Sequence, residues 1–328
     1  MTTRPVRDPA LALDVVIVSW NTRELLRACL RQLLAEDIVR RVVVVDNGSH
    51  DGSATMVAAE FPEVMCIAER TNHGFAGGNN IGLRHILADR PAPYICSLNP
   101  DTLVQRGALQ RLVTYLAGHP TVVGVGPMLR YGDGSWQSSR RRFPTLGMYL
   151  AESTPLAQWW PTNPWIGRYQ MTDQPQDAIT EADWLVGAAL VVRSARVQEV
   201  GLFDAGFTLY SEELEWQRRL TAGQHGAMVY LPTAVIEHYE GQSSSQIPMQ
   251  RLIWFVQSRL RDAQLALGRG RRIFLQICYV LMYGCEWLIE ASKWLLGHRR
   301  ALRAERLRTY GAVIWAVIQW RMLPVQIW

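Results

Sequence analysis

Three short segments of the sequence carry side chains suited to proton transfer or metal binding. Glu212, Glu213 and Glu215 fall within four consecutive positions, and a positioned carboxylate can take the proton of an attacking alcohol. Asp101 ends an Asn-Pro-Asp segment and offers the hard oxygen ligand that Mg2+ or Mn2+ prefers. His238 precedes a Gly-Gln-Ser-Ser stretch with the composition of a ligand-binding loop.

Each of these segments also has a purely structural interpretation. Acidic residues at a helix N-terminus are favoured by the helix dipole, Asn-Pro-Asp is a common turn, and a histidine after a strand can be a hydrogen-bonded core residue. For the acidic segment the pattern favours function, because Trp216 and Leu220 indicate that one face of the predicted helix 211–220 is buried.

Two further segments have the composition of ligand-binding loops. Asp46 begins a stretch of turn-forming residues, Asp-Asn-Gly-Ser-His-Asp-Gly-Ser. Residues 72–80 are either a flexible loop or a place where glycines let backbone N–H groups approach a ligand at a helix start. Neither segment matches GxGxxG, and the sequence has no Walker A motif, so a dinucleotide or P-loop site is disfavoured.

The elements that must position these residues alternate between strand and helix. Short apolar runs predict strands at 14–19, 41–45, 64–68, 94–98, 122–125, 184–192 and 228–231. The spacing of Asn21 and Glu24 predicts a capping box at the start of the first helix. Polar segments follow the strand ends, where open α/β sheets bind ligands. The sequence thus predicts an α/β fold with a mainly parallel central sheet flanked by helices.

The chain changes composition near residue 245, which predicts two regions. Residues 1–245 are predicted to form a catalytic domain, in which the Gly-, Pro- and Trp-rich range 131–180 is an irregular, partly mobile insertion. Residues 246–328 are predicted to be helical and basic. Residues 251–328 hold 13 basic and 4 acidic residues, a net charge of +9, whereas residues 1–250 hold 21 and 25, a net charge of −4.

The basic C-terminal region predicts association with an anionic membrane surface. Charged residues such as Glu286 interrupt the apolar range 273–296, so a spanning helix would have to bury charge. Basic clusters at 269–272 and 299–308 flank this range, which is typical of an interfacial helix. A helical cap on the catalytic body and a homodimer interface are the alternatives, and no nucleic-acid-binding motif is present. The sequence shows no secretory signal and no CxxC pair, so we expect a peripheral protein on the cytoplasmic face of the cell membrane.

Eight motifs, taken in order, resemble those of family 2 glycosyltransferases. They are Val18-Ser19-Trp20-Asn21 and the segments 46–53, 72–80, 98–101, 187–189, 201–204, 211–215 and 238–241. The resemblance covers roughly residues 12–245 and is strongest to the rhamnosyltransferase-type branch that acts on lipid-linked acceptors. It implies a GT-A fold, a nucleotide-diphosphate sugar donor, Mg2+ or Mn2+, and inversion at the anomeric carbon.

The resemblance also implies roles for individual residues. Glu213 would be the catalytic base, with Glu212 as the alternative, because the family has a Glu-Asp pair at this position. Asp101 would be the last residue of a DxD-type metal motif whose first acid is Asn99 here, and His238 would help to bind the metal or diphosphate. The nucleotide-sugar site would comprise Ser19, Asn21, Asp46, Asn47, Gly78, Asn79, Asn80 and Asn99.

Arg140, Arg141 and Arg142 form a basic cluster that suggests a site for the acceptor. Guanidinium groups bind phosphate oxygens in a forked geometry, so this cluster, with Trp184, could hold the diphosphate of a polyprenyl-linked acceptor. A solvated basic loop is the alternative.

Together these features predict an inverting glycosyltransferase that moves one sugar, such as rhamnose, from a dTDP- or UDP-sugar to a polyprenyl-diphosphate-linked glycan in cell-surface polysaccharide synthesis. The QxxRW motif of processive family members is absent, which favours single-sugar transfer. A sugar nucleotidyltransferase is an alternative, although it would carry a Gly/Arg/Lys-rich loop near the first strand. A catalytically silent membrane scaffold with the same fold is the non-enzymatic alternative.

Overall fold

The computed structural model describes residues 3–152, 160, 163–223 and 226–323. Its strands are β1 (Leu13–Ser19), β2 (Val39–Asp46), β3 (Met65–Ala68), β4 (Tyr94–Leu98), β5 (Thr102–Val104), β6 (Val122–Arg130), β7 (Trp136–Gln137), β8 (Arg140–Arg141), β9 (Thr180–Ala182), β10 (Trp184–Leu185), β11 (Ala189–Arg193) and β12 (Ala227–His238). Its helices are α1 (Arg23–Leu33), α2 (Ser53–Glu60), α3 (Gly74–Leu87), α4 (Ala108–Gly118), α5 (Leu146–Glu152), α6 (Pro164–Gln170), α7 (Ser194–Val200), α8 (Glu212–Leu220), α9 (Pro248–Leu267), α10 (Arg269–Leu295) and α11 (Arg300–Ile318).

One mixed sheet forms the centre of the body, with the strand order β3-β2-β1-β4-β11-β6-β12-β5. The strands β3, β2, β1 and β4 are parallel to one another. Strand β11 runs antiparallel to both neighbours, and β12 is parallel to β6 but antiparallel to β5. Ser19 lies in register with Asp46, and Ile17 with Leu98, so the carboxyl ends of three parallel strands meet at one edge. The α/β prediction is confirmed.

Helices cover both faces of this sheet, which explains why its central strands are apolar throughout. Val15 and Ile17 belong to one core layer together with residues of α1 and α4. Val16 and Val43 belong to the opposite layer, with residues of α3 and α8. A strand buried on both faces shows no alternation of polar and apolar side chains.

The first helix begins without the predicted capping box, so that prediction was wrong. Thr22 is the N-cap of α1 and makes no side-chain cap hydrogen bond. Asn21 lies outside the helix in the left-handed region, with φ of 51°. Its Oδ1 accepts a hydrogen bond from the N–H of His50 at 2.8 Å, while Glu24 pairs with Arg23 at 2.9 Å. The side chain of Asn21, which the sequence spacing predicts as the helix cap, is therefore hydrogen-bonded to the segment after β2 instead.

The predicted strand 184–192 is two separate strands. Strand β10 pairs with β8 in a two-stranded ribbon, and β11 joins the main sheet. The range 131–180 contains β7, β8, α5 and α6 in its described part, whereas residues 153–159 and 161–162 lie outside the described residues.

The C-terminal helices α9, α10 and α11 form a layer with their own apolar core, shared with α5. Ion pairs join this layer to the catalytic body. Arg261 on α9 lies 2.6 Å from the buried carboxylate of Asp204, and Arg218 on α8 lies 2.6 Å from the buried carboxylate of Asp262 on α9. Because removing one partner of a buried pair leaves the other charge desolvated, these contacts hold α9 firmly against the body.

Helix α10 presents an exposed apolar stripe to solvent. Phe274, Ile277, Leu281, Leu288 and Leu295 are between 51% and 70% exposed, and their spacing places them on one side of the helix. Within the described part of the chain, α10 is the one helix whose length and composition would allow it to cross a membrane.

Candidate active site

The predicted motifs converge on one cleft at the carboxyl edge of the parallel strands. The cleft has a volume of about 720 Å³. Every motif except the segment 201–204 contributes a residue to its lining. Asp101, His238, Glu212 and Glu213, which are far apart in the sequence, all face this space.

Asp101 and His238 lie side by side in the cleft because β5 pairs with the end of β12. Thr102 is in register with His238 across this antiparallel pair, which places Asp101 next to the imidazole. The Oδ1 atom of Asp101 is 3.4 Å from Nε2 of His238. The side-chain amide nitrogen of Asn99 lies 3.3 Å from the same imidazole nitrogen.

Gln137 and Glu240 fix the orientation of the His238 ring. Gln137 Nε2 donates to Glu240 Oε2 at 2.8 Å, so the amide oxygen of Gln137 faces the imidazole. This oxygen lies 3.0 Å from His238 Nδ1. Because an amide oxygen only accepts hydrogen bonds, Nδ1 carries the proton. In the neutral ring the lone pair is then on Nε2, beside Asp101, as a metal-binding histidine requires. Neither Gln137 nor Glu240 was identified as a site residue from the sequence.

The donor set at this end of the cleft fits a divalent cation that also takes ligands from a diphosphate. Asp101 supplies a carboxylate and His238 an imidazole nitrogen. The Oδ1 atom of Asn99 is buried without a hydrogen-bond partner, which leaves an amide oxygen free to coordinate. Mg2+ and Mn2+ favour such oxygen ligands. No cluster of three or more His, Cys, Asp or Glu suited to a metal occurs among the described residues.

The second functional cluster is the acidic pair at the start of α8. Tyr210 and Ser211, directly before it, both have left-handed backbone conformations, with φ of 71° and 67°. Such conformations cost about 1–3 kcal/mol each in non-glycine residues and concentrate at functional sites. This turn presents Glu212 and Glu213 to the cleft, and the Oε2 atom of each is buried without a hydrogen-bond partner.

The two carboxyls differ in how readily they ionise. Burial raises the pKa of both, and the negative charge of Glu213 raises the pKa of Glu212 further. A hydrogen bond from the backbone of Gly187 lowers the pKa of Glu213, against the larger effect of burial. Glycine permits this approach, because a Cβ atom at position 187 would lie 3.3 Å from Cβ and Cγ of Glu213. Both carboxyls are therefore harder to ionise than a carboxyl in water, and the contact with Gly187 favours the charged form of Glu213.

Helix α9 supplies a wall of the cleft that was not predicted from the sequence. Its lining residues include Arg251, Leu252, Trp254, Phe255 and Arg259. Residues beyond the predicted domain boundary at 245 therefore also line the cleft. These residues were missed because α9 reaches the cleft only through tertiary packing, and no local pattern around it resembles a ligand-binding loop.

Arg259 lies behind the acidic pair and is buried. Its guanidinium group hydrogen-bonds the carboxylate of Glu152 and lies 3.3 Å from the hydroxyl oxygen of Ser211. The positive charge of Arg259 lowers the pKa of both Glu212 and Glu213, against the larger effect of burial.

Asn79, Asn80 and Gly78 do not line the cleft, although the resemblance implied a donor-binding role for them. Asn80 donates to the backbone oxygen of Phe203 at 2.8 Å and accepts from its N–H at 2.9 Å. Asn79 accepts a hydrogen bond from Ser97 at 2.8 Å. A Cβ atom at Gly78 would lie 2.6 Å from Cγ1 of Val18. These residues of α3 therefore pack the helix against the sheet and the segment after α7.

Most of the other residues predicted to bind the sugar donor form hydrogen bonds within the protein. Asn47 lines the cleft, but its amide donates to Asn72 at 2.9 Å and to the backbone of Gly74 at 3.0 Å. The hydroxyl of Ser19 lies 3.0 Å from that of Thr22. Asp46 does not line the cleft, but its buried Oδ1 has no hydrogen-bond partner among the described residues.

The structure separates the three arginines of the predicted acceptor cluster. Arg140 is buried, with its guanidinium 5.7 Å from the ring of Trp136 and 5.1 Å from that of Tyr230. Arg142 is exposed and pairs with Asp183 at 3.2 Å. Arg141 lines the cleft, as does Trp184. Within the predicted cluster, Arg141 is thus the arginine that faces the cleft.

Similarity to known sequences agrees with this geometry. The family model described as glycosyl transferase family 2 matches residues 14–180. A protein of Mycobacterium tuberculosis named N-acetylglucosaminyl-diphospho-decaprenol L-rhamnosyltransferase is 29% identical over 252 residues, which are 73% of this chain and 80% of that protein.

Solved structures with the same architecture include two glycosyltransferases. The structure of GalNAc-T7 with UDP, GalNAc and Mn2+ has a TM-score of 0.53 and 14% sequence identity, and it covers 71% of this chain. The match takes in 44% of the GalNAc-T7 chain, so this chain spans less than half of that protein. The mannosyltransferase PcManGT from Pyrobaculum calidifontis, in complex with GDP-Man and Mn2+, has a TM-score of 0.52 and 16% identity, covering 96% of this chain and 90% of that chain. The expected GT-A fold is confirmed.

Proposed function

This chain belongs to glycosyl transferase family 2, and from that premise we propose that it is an inverting, metal-dependent enzyme that adds one sugar to a lipid-linked acceptor. The observation that carries the proposal is the presence of two separate functional pairs in one cleft. Glu212 and Glu213 form an acid–base pair, while Asp101 and His238 form a metal-binding pair. Glycosyl transfer needs both, because the attacking hydroxyl must lose a proton while the leaving diphosphate gains charge.

Glu213 acts as the base in this proposal. An alcohol is a weak nucleophile at neutral pH, so a carboxylate must accept its proton as the new bond forms at the anomeric carbon. A hydrogen bond from the backbone of Gly187 lowers the pKa of Glu213 and so favours its carboxylate form. Its buried Oε2 has no hydrogen-bond partner among the described residues and is free to accept a proton. Glu212, whose pKa is raised by burial and by the charge of Glu213, is assigned the supporting role in this pair.

Asp101, His238 and Asn99 bind the donor's metal ion in this proposal. A bound Mg2+ or Mn2+ would offset the negative charge that develops on the leaving diphosphate. Asp101 Oδ1 and His238 Nε2 lie 3.4 Å apart, close enough to bind one ion together, and Gln137 holds the imidazole in the required tautomer. Asp46, which does not line the cleft but has a buried oxygen without a partner among the described residues, is assigned as an acceptor for a ribose hydroxyl or base N–H of the donor.

The donor and acceptor follow from the similarity to the mycobacterial protein. Its name specifies transfer of L-rhamnose to a diphospho-decaprenol-linked sugar. We therefore assign to this chain a deoxyhexose such as rhamnose, supplied as a dTDP- or UDP-sugar, and a polyprenyl-diphosphate-linked glycan acceptor. The absence of a QxxRW motif supports the addition of a single sugar.

The apolar stripe of α10 is assigned to the cytoplasmic surface of the membrane. Exposed arginines at both ends of the helix, including Arg269, Arg271, Arg299 and Arg300, would contact anionic lipid headgroups. Flotation with phosphatidylglycerol vesicles tests this assignment. We expect the double substitution L281E/L288E to abolish flotation. The control is Ile179→Glu, which places the same charge at an apolar residue that is 54% exposed on the body, and this variant should float as the wild type does. Unchanged flotation of the double variant would contradict the assignment.

The proposed activity is tested first by thermal shift with nucleotide sugars, with and without Mn2+, because a ligand that binds the native state raises its melting temperature. The stabilising sugar is then used in a transfer assay with a polyprenyl-diphosphate-linked sugar, with the product followed by mass spectrometry. Glu213→Gln should abolish transfer while donor affinity remains. The matched control is Glu215→Gln on the same helix, because Glu215 pairs with Arg219 at 2.7 Å and does not line the cleft. Full transfer by the Glu213 variant would overturn the assignment of the base.

A further inference from the structure

Two arginine side chains line the cleft without an ion-pair partner among the described residues, Arg141 and Arg251. Arg141 donates to the hydroxyl of Ser138 at 2.8 Å and to the backbone oxygen of Arg140 at 2.9 Å. Arg251 on α9 donates from Nε to the hydroxyl of Tyr210 at 2.6 Å. Neither forms an ion pair within the described ranges, whereas Arg259 in the same cleft holds Glu152.

The guanidinium groups are held in place by aromatic rings. Arg141 lies 5.8 Å from the ring centroid of Tyr169, and Arg251 lies 5.8 Å from that of Tyr210. Burial lowers the pKa of Arg141, although the nearby charge of Glu152 acts in the opposite direction. Because Arg141 has no ion-pair partner among the described residues, a bound anion would offset the cost of desolvating its charge. Arg141 and Arg251 both line the cleft and are each positioned by contacts with the protein, so both are available to an anion.

The contacts of both arginines lead to the acidic end of the cleft. Arg251 is held by Tyr210, which precedes Ser211 and the acidic pair. Arg141 packs on Tyr169, whose hydroxyl lies 3.4 Å from Arg259, and Arg259 in turn contacts Ser211. Because the base must meet the acceptor hydroxyl, an anion bound at this end belongs to the acceptor.

We propose that Arg141 and Arg251 bind the diphosphate of the lipid-linked acceptor and hold its sugar against Glu213. This inference rests on the proposed function and specifies which residues recognise the acceptor. Helix α9 continues into α10, which carries the exposed apolar stripe. The lipid attached to the diphosphate would pass along Leu252 and Phe255 of α9 toward the membrane. Forked contacts from guanidinium groups match a diphosphate better than a single point charge would.

The test uses Arg141→Gln, Arg251→Gln and the double variant of the full chain. Arg168→Gln is the control, because Arg168 is exposed on α6 and does not line the cleft. Each is assayed with a polyprenyl-diphosphate-linked sugar and with an alkyl glycoside of the same sugar, which lacks phosphate. Charge-assisted hydrogen bonds typically contribute about 1.5–3 kcal/mol, so we expect KM for the diphosphate acceptor to rise about tenfold to a hundredfold in each single variant. KM for the donor should remain at the wild-type value, KM for the alkyl glycoside should change far less than KM for the diphosphate acceptor, and Arg168→Gln should leave all three values unchanged.

The outcomes distinguish the acceptor site from its alternatives. A rise in donor KM with unchanged acceptor KM would overturn the proposal, because the arginines would then serve the donor diphosphate. Unchanged KM values for both substrates would overturn it as well. If the wild-type chain transfers no sugar, the proposed function fails, and the arginine site is tested alone by calorimetry with farnesyl diphosphate in the presence of saturating UDP. Binding that the double variant loses supports the site, and binding that it retains refutes it.

Discussion

Replacing Gln137 should weaken metal binding even though Gln137 does not reach the metal position itself. Gln137→Leu removes the acceptor for His238 Nδ1 at 3.0 Å and the donor to Glu240 at 2.8 Å. His238 is 4% exposed, so little water is available to replace the lost partner. The imidazole then favours the tautomer with its proton on Nε2, where Asp101 is the acceptor, and the lone pair needed for the metal is lost.

The magnitude follows from the two hydrogen bonds that are removed. Each contributes about 0.5–1.5 kcal/mol, so the loss amounts to about 1–3 kcal/mol. Removal of a hydrogen-bond partner behind a metal ligand lowers affinity about 10-fold to 100-fold in other proteins, which corresponds to about 1.4–2.8 kcal/mol at about 1.4 kcal/mol per tenfold. We therefore expect the Kd for Mn2+ to rise by one to two orders of magnitude.

The measurement is calorimetric titration of Mn2+ into the protein in the presence of saturating nucleoside diphosphate. Glu240→Gln is the matched control, because its amide oxygen still accepts from Gln137 Nε2 and preserves the orientation of the amide. That variant should bind Mn2+ as the wild type does. If Gln137→Leu bound Mn2+ with the wild-type Kd, the tautomer of His238 would not depend on Gln137, and the prediction would be wrong.

Three further predictions concern stability. Burial and the charge of Glu213 hold the pKa of Glu212 above its ordinary value of 4.5, so above that pH the unfolded state, in which Glu212 ionises freely, gains stability relative to the native state. Glu212→Gln should therefore raise Tm at pH 7 and leave it unchanged at pH 4, and an equal shift at both pH values would contradict this. Asn80→Ala should lower the free energy of unfolding in urea by about 1–3 kcal/mol through two lost hydrogen bonds, with donor affinity unchanged; weaker donor binding at wild-type stability would be the contrary result. Arg261→Met should cost about 3–5 kcal/mol because Asp204 loses its guanidinium partner, and a wild-type Tm would show that this pair does not fasten α9.

The location of polar side chains at the strand ends was predictable from the sequence, because it depends only on the order of strands and helices along the chain. Asp101 follows a predicted apolar strand, His238 lies beyond another, and Glu213 lies in the first turn of a helix with a recognisable buried face. Parallel strands bring their carboxyl ends to one edge whatever their loops do. In the structure all three residues line one cleft, and their roles there stay predictions.

Side-chain direction was less predictable because neighbouring residues can face opposite surfaces. Successive side chains of a strand point to opposite faces, so Arg140 packs inside the body while Arg141 faces the cleft. Asn79 and Asn80 are turned inward by backbone groups that are remote in sequence, including that of Phe203. Arg251 on α9 reaches the cleft only when the C-terminal layer packs on the body. No sequence spacing encodes these contacts.

The central claim is that Glu213, rather than its neighbour Glu212, takes the acceptor proton. The most direct measurement is a single-turnover quenched-flow comparison of Glu213→Gln with Glu212→Gln, each at saturating donor and Mn2+. The account predicts that the rate of sugar transfer falls about 10²–10⁴-fold in Glu213→Gln, with donor Kd unchanged, and falls much less in Glu212→Gln. A larger fall in the transfer rate for Glu212→Gln than for Glu213→Gln would contradict the assignment of Glu213 as the base.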